Sequence, residues 1–103
     1  NKVALEVPGN SIACNMNDIV PNISGLEINE ARNVLFDYGW KPRDGKLIHD
    51  MGDMQFWFSV ERAVTPELVF CGNTCTYAYE KENSYLEVYG LDDVISTKAS
   101  CKN

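Results

Sequence analysis

The sequence holds a single histidine, His49, and no G-x-S-x-G elbow. Its glycines stand singly beside turn signals, so no Gly-rich phosphate loop exists, and the twelve-residue calcium-loop pattern is missing. These absences remove the usual signs of a serine hydrolase, a nucleotide-binding protein and a calcium sensor. Positive charge is also scarce. Lys plus Arg total 9 and lie scattered, against 15 Asp plus Glu, for a formal charge of −6. Nucleic-acid binding needs clustered cations to neutralise phosphates, so that class is excluded. No apolar run approaches the roughly 20 residues that span a bilayer, so no membrane span is expected. There is no internal repeat and no low-complexity stretch.

What remains is ordinary globular composition in 103 residues, 45% hydrophobic and 23% charged, read as one domain, 1–103. An acidic surface suits a basic protein partner, and it also keeps a protein soluble. The numbering begins at Asn1 with no initiator Met, as in a mature form whose signal peptide has been removed.

Four cysteines are present: Cys14, Cys71, Cys75 and Cys101. An even count in a short chain points to two disulfides and an oxidising compartment, periplasmic or extracellular. Three pairings are possible. Cys71–Cys75 is favoured because Gly72, Asn73 and Thr74 between them suit a tight turn. Cys14–Cys101 would then tie the chain ends together. A zinc site would need more paired close spacings and more histidine, so no metal and no cofactor are expected.

Residues 20–40, VPNISGLEINEARNVLFDYGW, read as a capped helix over about 25–38. Ser24 and Glu27 form an S-x-x-E capping box, with Ile23 and Ile28 placed as a hydrophobic staple. Ile28, Ala31, Val34, Leu35 and Tyr38 recur at helical spacing. Gly39 is placed to end the helix in a left-handed conformation, and Pro42 prevents its resumption. Trp40 reads as core. Elsewhere the period is two. Strands are expected at 2–7, 46–49, 54–60, 67–71, 75–80, 84–89 and 94–97. Over 54–60, Met54, Phe56, Phe58 and Val60 alternate with Gln55, Trp57 and Ser59. No Asn-Gly or Asp-Gly precedes Ser84, so a hairpin loop longer than two residues is expected there. The sum is an α+β domain: one amphipathic helix packed on an antiparallel sheet of four to five strands, with two disulfides.

Candidate chemistry is thin, and no catalytic residue is assigned. A nucleophilic cysteine needs a free thiol and a base, yet every cysteine has a plausible partner. His49, Asp50 and Asp53 cluster in a Gly-containing segment that reads as a solvated loop. Asp92 and Asp93 are adjacent and read as turn residues. Asn22-Ile23-Ser24 is a glycosylation sequon whose serine already has a capping role.

Aromatic residues carry the stronger signal. If Met54, Phe56 and Phe58 pack under the helix, Trp57 faces the other way. Tyr77 and Tyr79 share one face of their strand, and Tyr85 and Tyr89 share one of theirs. Aromatics beside Glu67, Glu80 and Glu87 would form a contact surface. The expected binding residues are Trp57, Tyr77, Tyr79, Tyr85, Glu80 and Glu87.

Val20-Pro21, Gly25, Ala31, Leu35 and Gly39 resemble, with its spacings, the opening of a PASTA domain, an extracellular bacterial module of wall-sensing kinases and penicillin-binding proteins. The match covers about a fifth of the chain, and it implies binding of wall fragments. The run from Pro66-Glu67 through Cys71, Cys75, the aromatic strand, Leu86-Glu87-Val88 and Cys101 resembles small exported proteins of Gram-negative bacteria. Some periplasmic proteins of that build are immunity proteins or inhibitors of wall-degrading toxins. The expected function is therefore a non-enzymatic exported binding protein that occludes a protein partner, acting as an inhibitor or immunity protein. The alternatives are a PASTA-like wall-fragment module and a small hydrolase or redox protein.

Overall fold

The computed structural model describes residues 11–14, 18–43 and 55–102. Two short strands, β1 (Ser11–Ile12) and β2 (Ile19–Val20), pair with each other. Helix α1 (Ile28–Asp37) follows, then β3 (Lys41–Pro42) and a second helix, α2 (Gln55–Val64). Four strands complete the chain: β4 (Leu68–Cys71), β5 (Cys75–Lys81), β6 (Ser84–Gly90) and β7 (Val94–Cys101). The main sheet has the order β3-β5-β6-β7, with β4 also pairing β5, and each of its pairings is antiparallel. The fold is α+β, and both expected disulfides, Cys14–Cys101 and Cys71–Cys75, are present.

Helix α1 begins later than the capping box implies. Its N-cap is Glu27, whose side chain accepts from the Glu30 amide. Ser24 instead donates its amide to Asn22 Oδ1. The cause is tertiary. Gly25 N donates to Val94 O, Val94 N to Leu26 O, and Ile28 N to Asp92 O. These bonds tie residues 25–28 to the β6–β7 turn: Gly25 turns at φ +80° and Glu27 stays extended, so winding starts only at Ile28. Ile23 is buried in the core rather than acting as a staple.

The helix ends as expected. Gly39, at φ +90°, takes the left-handed position that other residues adopt only at a cost. Gly39 N donates to Phe36 O and Trp40 N to Leu35 O, both at 3.0 Å, which is the Schellman arrangement. No basic residue stands in the last turn of α1, and Lys81 Nζ on β5 supplies the missing cation by donating to Tyr38 O.

The expected strand at 54–60 is wrong where it is described: residues 55–64 are helix. Trp57, Val60 and Val64 share a helical face, and a window stopped at Val60 misses that period. Glu61, Arg62 and Ala63 extend the helix, and Pro66 limits it. Arg62 Nε then donates to Leu68 O and its Nη2 to Pro66 O, fixing the passage into β4. The β5–β6 loop is also shorter than expected. Lys81 pairs with Ser84, leaving only Glu82 and Asn83 between them. Among the described residues no non-glycine residue has positive φ, so this tight turn does without the Asn-Gly signal. Lys102 N donates to Asn83 O and secures it. The strands expected at 2–7 and 46–49 lie outside the described residues, as do His49, Asp50 and Asp53.

Val20, Ile23, Ala31, Leu35 and Trp40 pack with Tyr79, Leu86, Val88 and Val94 in one core. It lies between α1 and the inner sheet face. Beside it, Ser84 Oγ donates to the buried Asp18 Oδ2 and accepts from Cys14 N, so a polar knot backs the Cys14–Cys101 bond.

Candidate functional site

Register assigns every side chain of the sheet to a face, because directly opposed residues point the same way. Tyr77 opposes Val88 and Tyr79 opposes Leu86, so both tyrosines belong to the inner, helix-covered face. The outer face carries three cross-strand rows. One runs Phe70, Thr76, Tyr89, Ser96; the next Ala78, Glu87, Lys98; the third Lys41, Glu80, Tyr85, Ser100. Most of these residues are partly or largely exposed, whereas Ala78 is buried.

The six expected binding residues therefore separate. Tyr85, Glu80 and Glu87 come together on the outer face. Tyr79 is core, with 2% of its surface exposed, and takes no part in a surface site. Its hydroxyl donates to Glu67 Oε2 at 2.8 Å. Glu67 is fully buried too, and the same oxygen accepts from Arg32 Nε at 2.5 Å. Burial and the neighbouring Glu67 raise the Tyr79 phenol well above its ordinary range. Tyr77 is half-buried beside it, and burial first, then Glu67, raises its phenol as well. Period-two alternation placed these tyrosines on one face correctly. It could not say which face the helix covers.

Trp57 stands apart on α2, 39% exposed. With Val60 and Val64 it forms an exposed apolar stripe at helical spacing. This is a second surface, separate in the chain from the outer sheet face.

Tyr85 is the hub of the outer face. The Arg43 guanidinium lies 3.6 Å from its ring centroid and Lys102 Nζ lies 5.5 Å away. Lys102 also pairs with Glu80 at 3.1 Å. Tyr89 donates its hydroxyl to Glu87 Oε1, and that bond pushes its phenol up to about 12. Sequence reading passed over Arg43, Lys98 and Lys102, which lie far apart in the chain and meet only through register and the returning chain end. Lys41, Arg43, Lys98 and Lys102 face Glu80 and Glu87 here, so this face is locally cationic on a chain of net charge −6. The exposed carboxylates Glu27, Glu30, Asp92 and Asp93 sit elsewhere, at the start of α1 and the β6–β7 turn.

A cleft of about 360 Å³ borders the outer face, lined by Gly39, Lys41, Glu80, Lys81, Glu82 and Lys102. Its charged side chains are largely committed, Lys81 to Tyr38 and Lys102 to Glu80. Among the described residues, no group of three or more His, Cys, Asp or Glu is placed to hold a metal ion. No described helix is long and apolar enough to cross a membrane. No protein family, curated protein or solved structure matches the chain significantly.

Proposed function

We propose that this chain is a non-enzymatic, exported binding protein that occludes a partner protein with the outer face of its sheet, in the manner of a periplasmic inhibitor or immunity protein. The observation that carries the reading is the partly to largely exposed outer face of the sheet, where, among the described residues, Phe70, Tyr85, Tyr89 and Arg43 stand among polar neighbours around the buried Ala78. Aromatics and arginine are the residues that dominate binding energy at protein interfaces. All four cysteines are bonded, which leaves no thiol nucleophile and suits an oxidising compartment. The net charge of −6 draws in a basic partner at long range. The outer face itself matches an acidic epitope, and short-range complementarity sets the docked pose.

The PASTA-type reading draws less support, because the residues of that resemblance have folding roles. Val20, Ala31 and Leu35 are core, Gly25 is bonded to Val94, and Gly39 ends α1. Retention on purified peptidoglycan would revive it.

Tyrosine iodination, mapped by mass spectrometry with and without extract of the native compartment, tests the proposal. Tyr85 should react in the free protein and be shielded in the complex, whereas Tyr89, held by Glu87, reacts slowly in both. Complex formation with Tyr85 still fully reactive would overturn it.

A further inference from the structure

Strand β7 is long for what it buries. Of its eight residues, Val94 through Cys101, only Val94 is buried and the other seven are exposed. It lies at the edge of the sheet, with β6 on one side. Away from β6, among the described residues, the backbone of Val94 bonds to Gly25 and Leu26, and Cys101 at the far end carries the disulfide to Cys14. The pairing pattern shows which groups face outward. Lys102 N donates to Asn83 O, and the register keeps Ser100 opposite Tyr85, Lys98 opposite Glu87 and Ser96 opposite Tyr89. Antiparallel alternation makes these the hydrogen-bonded pairs. The N–H and C=O groups of Thr97, Ala99 and Cys101 therefore point away from the sheet.

Such an edge is a template for another strand unless something blocks it. No proline stands in VISTKASC, and its irregularity lies only at its start, by Tyr89 and Gly90. Helix α1 leaves Thr97 and Ala99 exposed although they oppose the buried Val88 and Leu86. A row of peptide groups is matched by another peptide backbone and not by a nucleic acid or a sugar. Charge then narrows the choice. Lys98 is the one charged residue of β7, and no carboxylate stands on the strand. Glu87 opposite Lys98 keeps its charge while accepting the Tyr89 hydroxyl, and Lys102 is paired with Glu80, but Lys41 and Arg43 leave the same face with an excess of cations. Strand addition by a second copy in the register that opposes Lys98 to itself would set like charges together, a destabilising pair.

We propose that the β7 edge receives an extended, acidic segment of a partner protein as an added antiparallel or parallel strand, with carboxylates set beside Lys98. This deepens the binding-protein reading and rests on it. The backbone ladder supplies the attachment, and side chains on the Lys98 side supply selectivity.

The test uses the intact chain and three synthetic peptides of about seven residues, an ordinary strand length. One alternates valine with glutamate, one alternates valine with lysine, and one is the acidic peptide N-methylated at every amide, so that neither of its edges can donate. Hydrogen exchange read by NMR should show Thr97, Ala99 and Cys101 amides protected by the acidic peptide. The basic peptide should bind about tenfold more weakly, a difference on the scale of one well-placed charge pair. The N-methylated peptide should give no protection. Ala99→Pro removes an outward N–H at an edge position where proline is tolerated, and should abolish binding with β5–β6 amides still protected. Lys98→Glu, which leaves the backbone intact, should reverse the preference between acidic and basic peptides. Equal binding of the N-methylated peptide, or no protection of these three amides, overturns the inference. So does a dimer of the free chain that Ala99→Pro dissolves, because the edge then receives a second copy. An acidic peptide that perturbs Tyr85 and Tyr89 while leaving the edge amides unprotected would also overturn strand addition, yet leave the outer-face reading standing.

Discussion

Tyr79 holds Glu67 inside the core: its phenol donates to a carboxylate with no exposed surface, and Arg32 of α1 closes on the same oxygen. One residue on β5, one just before β4 and one on the helix are thereby locked together. A carboxylate so placed is costly unless partnered. Tyr79→Phe removes the neutral donor and keeps the ring. It should lower stability by about 1–3 kcal/mol, measured as a lower urea midpoint at unchanged slope.

The Tyr89–Glu87 bond should appear in alkaline titration. The Tyr89 phenol rises from 10.0 to about 12, chiefly through that hydrogen bond. Because the folded value is the higher one, the bond's contribution to stability is complete below about pH 10 and is lost as pH climbs through about 12. Glu87→Ala should bring this phenol back toward 10.0 in the ultraviolet phenolate signal.

The two disulfides should differ in worth. Cys14–Cys101 spans 87 residues and Cys71–Cys75 only 4. In the chain-entropy model the first is worth about 4–5 kcal/mol and the second about 2. Serine pairs at each site, compared by denaturant unfolding, should show the larger loss for the terminal bond.

Gly90 and Gly39 should resist substitution for different reasons. A Cβ at Gly90 would lie 2.2 Å from Asp93 O, where the chain turns back into β7. Gly90→Ala should cost about 1–3 kcal/mol through that clash. Gly39→Ala should cost about 1–2 kcal/mol because φ is +90°. Thermal unfolding of each variant checks both values.

Trp57→Ala should leave the fold intact, within about 0.5 kcal/mol, because the side chain sits on the exposed side of α2. The same variant should weaken partner binding if the α2 stripe joins the contact. Loss of native circular dichroism would instead place Trp57 among the residues that hold the fold.

Local patterns were legible where local bonds decide the outcome. The stop at Gly39, the Cys71–Cys75 turn and the alternation of β5 and β6 are each set by neighbouring residues, and they appear as the sequence implies. The start of α1 was not legible, because Gly25 N donates to Val94 O, Val94 N to Leu26 O and Ile28 N to Asp92 O, which keeps Glu27 extended. Helix α2 was misread because three aromatics in succession also alternate, and its helical period shows only when Val64 is included. For the candidate surface, alternation grouped Tyr77 with Tyr79 and Tyr85 with Tyr89. Only the position of α1 decides that the first pair lies inside and the second outside. The cations around Tyr85 come from residues 43 and 102, and no sequence window spans that distance.

The outer face is the centre of this account, and Tyr85 is its hub. Affinity capture from the native compartment, run side by side with the wild type and Tyr85→Ala, tests it most directly. A protein retained by the wild type and lost by a variant of unchanged unfolding midpoint is the predicted result. Equal retention by both would contradict it.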